Sequence, residues 1–401
     1  MKNIHFIFAA IVLLLSVEYL TFGGGFSVFR ILIFPLAVLG IFLMRGLHLR
    51  QSSVILWYGL LFYFVWVIGS NYLIGNSGDS ITYLLIAVFS FFLIKYFSSF
   101  PEKLNSMYRY TYWFALPHEI VYLLILAGFL SMPDYTMGYS MRFIGFHRDP
   151  NFMTIFVSIA ILSKIQYLKV SSSHVVWKLV ILGSIALDIW LVIMGMSRGG
   201  ILCLLACMVL QVLSFIPGKK KFLVAGLMLV VAVSFMMYAR QFNEVSGSYQ
   251  SSFWNMLARF NNDDFSKGSG RKEIWQKNMH DIVEFPLTPL GTNLEERPDA
   301  KYTHNTYIDI LLTSGLIFGS VFVFFLVSGQ VRSISDVLKN GSETGYLVLS
   351  LVVVSQLFFL SLLTLKLTWF FFILLLHNLS YKKIPVPDYA GLRLSPKFYK
   401  S

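Results

Sequence analysis

Charge is what this sequence has least of. Asp, Glu, Lys and Arg make up 13% of the 401 residues, against 56% hydrophobic residues. Soluble domains carry about 25% charged residues, so a water-soluble globular protein is excluded and the bilayer is the natural solvent. Acids are scarcer than bases, 20 against 32, and the net charge of +12 reads as Lys and Arg gathered in cytoplasmic loops, not as a nucleic-acid surface. Cysteine is nearly absent. Cys203 and Cys207 stand four apart in an apolar run, so they are expected as small buried hydrophobes on one helix face, not as a disulfide or a metal pair. No second His and no carboxylate pair stands at ligand spacing near the polar stretches, so neither a metal nor a cofactor is expected. No internal repeat and no low-complexity tract interrupts the chain. The first apolar run lacks a small-residue cleavage motif and reads as a membrane span, not a signal peptide.

What is present is a series of long apolar runs. A spanning helix needs about 20 mostly apolar residues. That rule predicts about twelve spans, at 4–21, 29–45, 53–71, 80–97, 111–131, 150–168, 175–195, 200–216, 221–239, 304–328, 344–364 and 367–381. The fold class is therefore an all-α polytopic integral membrane protein. Residues 1–239 hold spans 1–9, 240–303 form a large external loop, 304–381 hold spans 10–12, and 382–401 form a short basic cytoplasmic tail. The last two spans are joined only by Leu365-Lys366, which leaves ten or eleven spans open. The short loops carry Arg45 and Arg50, Lys103 and Arg109, Lys164, Lys169 and Lys178, Lys219 to Lys221, and Arg332 and Lys339 on one side. By the positive-inside rule that side and both termini are cytoplasmic.

This orientation puts three polar stretches on the outer face: Met141 to Asn151, Gly195 to Gly200, and the 240–303 loop with His304. Within the loop, Ser269 can cap a helix from about Arg271, and Trp275, Met279, Ile282 and Val283 recur at helical spacing until Pro286, Pro289 and Gly291 end it. An amphipathic helix against the outer end of the bundle is expected, because Trp275 needs burial.

Chemistry is sought at the helix mouths. Arg198 stands in Met196-Ser197-Arg198-Gly199-Gly200, where glycines permit close approach and the following helix N-terminus favours negative charge. A diphosphate is the sharp reading there and an interfacial anchor the plain one. Arg142 and Arg148 flank a second helix start, with Asp149 as cap, Pro150 in the first turn and Asn151 beside them. Arg271 has a guanidinium able to grip phosphate oxygens bidentately. His304 opens a span, followed by Asn305, Tyr307 and Asp309. A neutral imidazole there can take a proton from a sugar hydroxyl. Within the spans, Asp188 and Asp309 are placed toward the outer half, where they can orient arginines, while His118 and Glu119 read as a structural pairing.

Arg142…Gly145…Asp149-Pro150-Asn151, Ser197-Arg198-Gly199-Gly200, and Gly270-Arg271…Trp275…Pro289-Leu290-Gly291…His304-Asn305-Thr306-Tyr307…Gly315-Leu316-Ile317-Phe318-Gly319, in this order, resemble the O-antigen ligase/polymerase superfamily. The resemblance covers roughly Arg142 to Gly319. It implies a metal-independent membrane glycosyltransferase of the bacterial inner membrane, with a glycan on undecaprenyl diphosphate as donor at the periplasmic face. Arg198 and Arg271 would hold the leaving diphosphate and His304 would act as base. Arg142 and Arg148 are further candidates for substrate binding, and the reading of the residues themselves adds Asn151, Asn305 and Tyr307 to the substrate site with Asp188 and Asp309 in support. Polymerisation of lipid-linked repeat units is the expected activity, and transfer of the finished glycan to lipid A-core (the ligase reaction) is the alternative. The implied partners are the undecaprenyl-diphosphate-linked oligosaccharide and membrane lipids, with a chain-length regulator and a flippase as further candidates. The rival class is a transporter of lipid-linked sugars. Transporters place polar sites near the midplane of paired halves, and no paired halves are visible in this chain.

Overall fold

A computed structural model of the chain describes residues 2–18, 27–73, 77–130, 143–145, 149–216, 271–290, 303–340 and 345–380, with single residues between 218 and 226. Among the described residues every regular element is helical. The order is α1 (Lys2–Leu15), α2 (Val28–Leu43), α3 (Gln51–Leu73), α4 (Ser77–Ser99), a 3₁₀ turn Pro101–Ser106, α5 (Tyr108–Thr111), a 3₁₀ turn Tyr112–Ala115, and α6 (Leu116–Leu126). There follow α7 (Pro150–Val170), α8 (Val175–Gly195), α9 (Arg198–Phe215), α10 (Arg271–Glu284), α11 (Thr306–Asn340), α12 (Gly345–Gln356), a 3₁₀ turn Leu357–Phe359 and α13 (Lys366–Ser380). Among the described residues, six helices are long and apolar enough to cross a membrane: α3, α4, α7, α8, α9 and α11; α1, α2, α12 and α13 are shorter and apolar. The protein is an all-helical, multi-pass membrane protein. The predicted span 221–239 and the basic tail lie almost wholly outside the described residues, as do Lys219, Lys221 and most of the 240–303 loop.

Burial separates the helices into a centre and a periphery. α13 is buried from Lys366 to Asn378, and α7 buries 14 of its residues. α3 and α8 instead turn large apolar side chains outward, among them Ile55, Phe62 and Val65, and Val176, Leu179 and Leu182. Such faces are stable only against lipid. Aromatic contacts join the centre: Tyr63 of α3 stacks on Phe322 of α11 at 4.4 Å, and Phe322 on Trp369 of α13 at 5.6 Å.

Several predicted spans are not straight rods. The predicted 4–21 run ends as helix at Leu15, and Glu18 then turns inward, where its carboxylate accepts the Lys366 and Leu367 backbone N–H groups at 3.1 and 3.2 Å. It thereby caps the start of α13, where the helix dipole favours an acid, and pairs with the buried Lys366 Nζ at 3.4 Å. The predicted 111–131 run is a 3₁₀ turn followed by the 11-residue α6. The 344–364 run stops as α-helix at Gln356, and the segment from Leu357 to Leu365 folds back into the bundle with Leu357, Leu360, Leu362, Leu363 and Leu365 buried. Lys164, expected in a cytoplasmic loop, lies inside α7 with its side chain 2% exposed, salt-bridged to Glu119 and Asp188. Hydropathy could not show this, because a lysine whose partners are distant in sequence looks like a loop residue.

The predicted 304–328 span also contains a break. Gly315 has φ 75° and ψ 166°, so α11 is two helical pieces. A broken helix inside an apolar bundle frees backbone groups that cost several kcal/mol each if left unpaired. Here three of them are matched. Trp66 Nε1 donates to the Ser314 carbonyl at 2.8 Å, Leu316 N–H donates to the Pro286 carbonyl at 2.9 Å, and Leu290 N–H donates to the Leu312 carbonyl at 2.8 Å. The segment 286–290 that follows α10 thus seats itself in the break, which fixes α10 against the first half of α11.

Candidate functional site

Four helix N-termini, those of α7, α9, α10 and α11, build one end of the molecule, and each is shaped by local sequence. α7 begins at Pro150, whose missing N–H is no loss in a first turn. Asp149 precedes it in extended conformation, and its carboxylate accepts the Asn151 N–H at 2.7 Å and the Phe152 N–H at 3.3 Å. The cap expected from the sequence is therefore formed. α8 ends on Met196 in the left-handed region, Ser197 is extended, and Arg198 opens α9. A side chain at Gly199 would meet the Phe359 ring at 2.7 Å, and one at Gly200 would collide with Thr154 of α7. Only glycine allows α7, α9 and the Leu357–Phe359 turn to meet this closely, and that contact brings Arg198 to the junction.

α11 begins on a tight polar knot. The Thr303 hydroxyl donates to Asp309 Oδ1 at 2.5 Å, accepts the Asn305 N–H at 3.0 Å and lies 2.8 Å from the Ser361 hydroxyl. Asn305 Oδ1 accepts the N–H groups of Tyr307 and Ile308 at 2.9 and 3.2 Å and so caps the helix. Between these two buried residues, His304 adopts φ 50° and keeps only part of its surface open to solvent. A positive φ at a residue other than glycine is a cost sustained by its surroundings. Here it turns the imidazole out of the knot. α10 is held beside it: Trp275 Nε1 donates to the Thr303 carbonyl at 2.7 Å, the Trp275 ring meets Phe358 edge-on at 5.8 Å, and Ile282 packs with Ile308 and Leu312. The predicted amphipathic helix is present, and Trp275 is its anchor.

Electrostatics ties the mouths together. The half-buried Arg271 guanidinium is held below its ordinary pKa, by burial first and then by the charge of Arg198. His304 is lowered by burial, then by Arg271, with Asp149 pulling the other way. Arg198 thus acts on Arg271, and Arg271 and Asp149 act on His304, although the four residues come from four separate elements. Two guanidiniums that repel each other at helix mouths make a place where an anion relieves strain. A lowered imidazole pKa leaves His304 neutral near pH 7, the form that accepts a proton.

Other expected residues have different roles. Arg142 and Arg148 lie outside the described residues. Asn151 stands in the first turn of α7, half-buried. Asn305 is buried and occupied in capping α11. Tyr307 points into the bundle, where its hydroxyl donates to the Val354 carbonyl at 3.0 Å and accepts from Gln330 at 2.6 Å. Asp309 holds Thr303. Asp188 is bound to Lys164 at 2.6 Å instead of orienting an arginine. Sequence reasoning treated Asp149 only as a cap and passed over Ser361 and Phe359. The signal for Asp149 was its place beside two arginines, whereas Phe359 and Ser361 stand in a segment read as membrane span.

Fold and site together define a class: a multi-pass helical membrane protein with a cationic, base-bearing mouth at one end. A family model described as O-antigen ligase matches residues 183–324, a stretch that includes Arg198, Arg271, His304 and Gly315. Over that stretch the chain is similar to the O-antigen ligase family, whose members are membrane glycosyltransferase-like enzymes. No curated protein and no solved structure matches the chain.

Proposed function

We propose that the chain is a polysaccharide polymerase that joins oligosaccharide repeat units carried on undecaprenyl diphosphate at the outer face of the bacterial inner membrane. The observation that carries this reading is the electrostatic coupling of Arg198, Arg271 and His304 across three helix mouths. An acceptor sugar hydroxyl attacks the anomeric carbon of the donor glycan. The new glycosidic C–O bond forms, the bond from that carbon to the diphosphate oxygen breaks, and the hydroxyl proton passes to His304 Nδ1 or Nε2. Arg198 and Arg271 bind the departing undecaprenyl diphosphate as its charge develops, the point at which fixed donors lower a barrier most. The second reading, transfer of a finished glycan to lipid A-core, is favoured by the ligase description of the matching family model.

The test is His304→Ala in a strain deleted for the native gene. Loss of a general base costs ~10²–10⁴-fold in rate, so long chains should disappear while the variant inserts normally and lipid-linked repeat units still reach the outer leaflet. Single repeat units on lipid A-core in the deletion strain identify a polymerase, and long chains stranded on the carrier identify a ligase. Normal polymer from the variant removes His304 from the mechanism. Failed export of repeat units points to the transporter class.

A further inference from the structure

Away from the helix mouths, three ionisable side chains meet inside the bundle. Lys164 Nζ of α7 donates to Glu119 Oε1 of α6 at 2.8 Å, to Asp188 Oδ2 of α8 at 2.6 Å and to the Ser184 hydroxyl of α8 at 2.7 Å. Ser184 donates onward to the same Glu119 oxygen at 3.0 Å. The ammonium has three protons and three acceptors, so it is saturated and fully charged. Against its one positive charge stand two carboxyl groups. If both were ionised, the cluster would keep a net negative charge in a region where Lys164 and Asp188 are 2% and 0% exposed. The second oxygen of Asp188, Oδ1, is buried and has no hydrogen-bond partner. An oxyanion lobe with no donor is among the costliest arrangements a bundle can hold, and a neutral hydroxyl at the same place costs far less.

A cavity shares one residue, Tyr112, with the surroundings of the cluster. This cavity, of about 500 Å³, opens where α7 ends and α8 begins, at the opposite end of α7 from the candidate site, lined by Tyr108, Arg109, Tyr112, Tyr167 and Ser171. The ring of Tyr112, one of the lining residues, has its centroid 5.5 Å from Lys164 Nζ. The groups facing the cluster are thus Tyr112 from the 3₁₀ turn, Glu119 from α6, Lys164 from α7, and Ser184 and Asp188 from α8, with Arg109 and Tyr167 farther out along the cavity. His118, next to Glu119, faces Gly145 and the Phe156 ring instead.

We propose that Glu119, Lys164 and Asp188 form a proton-binding site that holds a single proton on its two carboxyl groups and exchanges it through the Tyr112 cavity. One carboxylate takes up one proton from water, the cluster becomes neutral, and no other bond changes. This site is separate from the candidate active site and does not depend on the glycosyltransferase reading.

Infrared difference spectroscopy of the full-length protein in lipid nanodiscs at pH 7 tests it. Protonated carboxyl groups elsewhere cancel between wild type and variant, so the readout is their difference. Wild type minus Asp188→Asn should show one protonated-carboxyl carbonyl stretch, which shifts on transfer to D₂O. Glu119→Gln should lose the same band, because it leaves one acid against one lysine and the remaining acid ionises. If Asp188→Asn does not fold, Glu119→Gln alone decides. The proposal is overturned by superimposable spectra in that region, by a band that survives in Glu119→Gln, by a band that does not exchange in D₂O, or by a band that appears only when sodium is removed.

Discussion

At the scale of single residues, the candidate site works by two charges and one strained backbone. His304 is placed by its neighbours: Thr303 and Asn305 are buried and bonded on either side, so the chain has little choice but to turn the imidazole outward. Its depressed pKa comes from burial and then Arg271, with Asp149 acting against them. The sign of each change follows. Activity that needs neutral His304 falls as pH drops through that lowered pKa. Arg271→Gln removes a positive neighbour, raises the His304 pKa and moves the acid limb of the rate–pH profile to higher pH. Asp149→Asn keeps an oxygen able to cap α7, removes the negative neighbour and moves the limb to lower pH. Profiles measured on membranes with lipid-linked donor check both shifts, and displacement in one common direction would dissociate His304 from these two charges. Arg198, Arg271 and His304 were legible in the sequence because unusual polar residues at span edges stand out. Asn305 and Tyr307 were legible only as polar. Which way a side chain turns at a helix start depends on bonds to Ser361 and Val354, which no local pattern shows.

At the scale of elements, the broken helix α11 decides how the loop helix α10 is seated. Gly315 permits the break, and an added Cβ there would adopt a disfavoured φ and approach the Pro286 carbonyl to 3.2 Å. Gly315→Ala should therefore destabilise the protein by about 1–3 kcal/mol, the usual cost of such a backbone position. Gly183→Ala is the control: it lies within α8 with nothing within 4 Å of its added Cβ, and alanine should be neutral or stabilising by about 0.5–1 kcal/mol. Thermal unfolding of the purified protein in one detergent compares them, and equal midpoints would show that the break is not a constraint. Length and periodicity made the straight helices readable: the Asp149-Pro150 start of α7 and the Trp275, Met279 and Ile282 stripe of α10 are where they were expected, while Val283, expected in that stripe, is exposed. The break was not readable, because the run through Gly315 is apolar on both sides and hydropathy is blind to a single positive φ. The inward fold of Leu357 to Leu365 escaped for a related reason, since a buried loop and a spanning helix use the same residues.

At the scale of the whole molecule, orientation is the remaining argument. Lys164 drops out of the basic count because it is buried and paired, yet Arg45, Arg50, Lys103, Arg109, Lys169, Lys178, Arg332 and Lys339 still favour one side. α11 is broken at Gly315, yet its longer piece, from Leu316 to Lys339, still runs roughly 36 Å at 1.5 Å per residue, beyond the ~30 Å hydrocarbon core. The two ends of that piece are expected in opposite compartments, with exposed Lys339 at one and the Gly315 break, on whose far side His304 lies, at the other. Both native cysteines are free and buried, so single added cysteines can be read without first removing them. A membrane-impermeant maleimide applied outside the inner membrane should label His304→Cys in intact spheroplasts and label Lys339→Cys only after the membrane is opened. The reverse pattern would put the cationic mouth in the cytosol, away from any glycan presented on the outer leaflet, and the polymerase reading would fall with it.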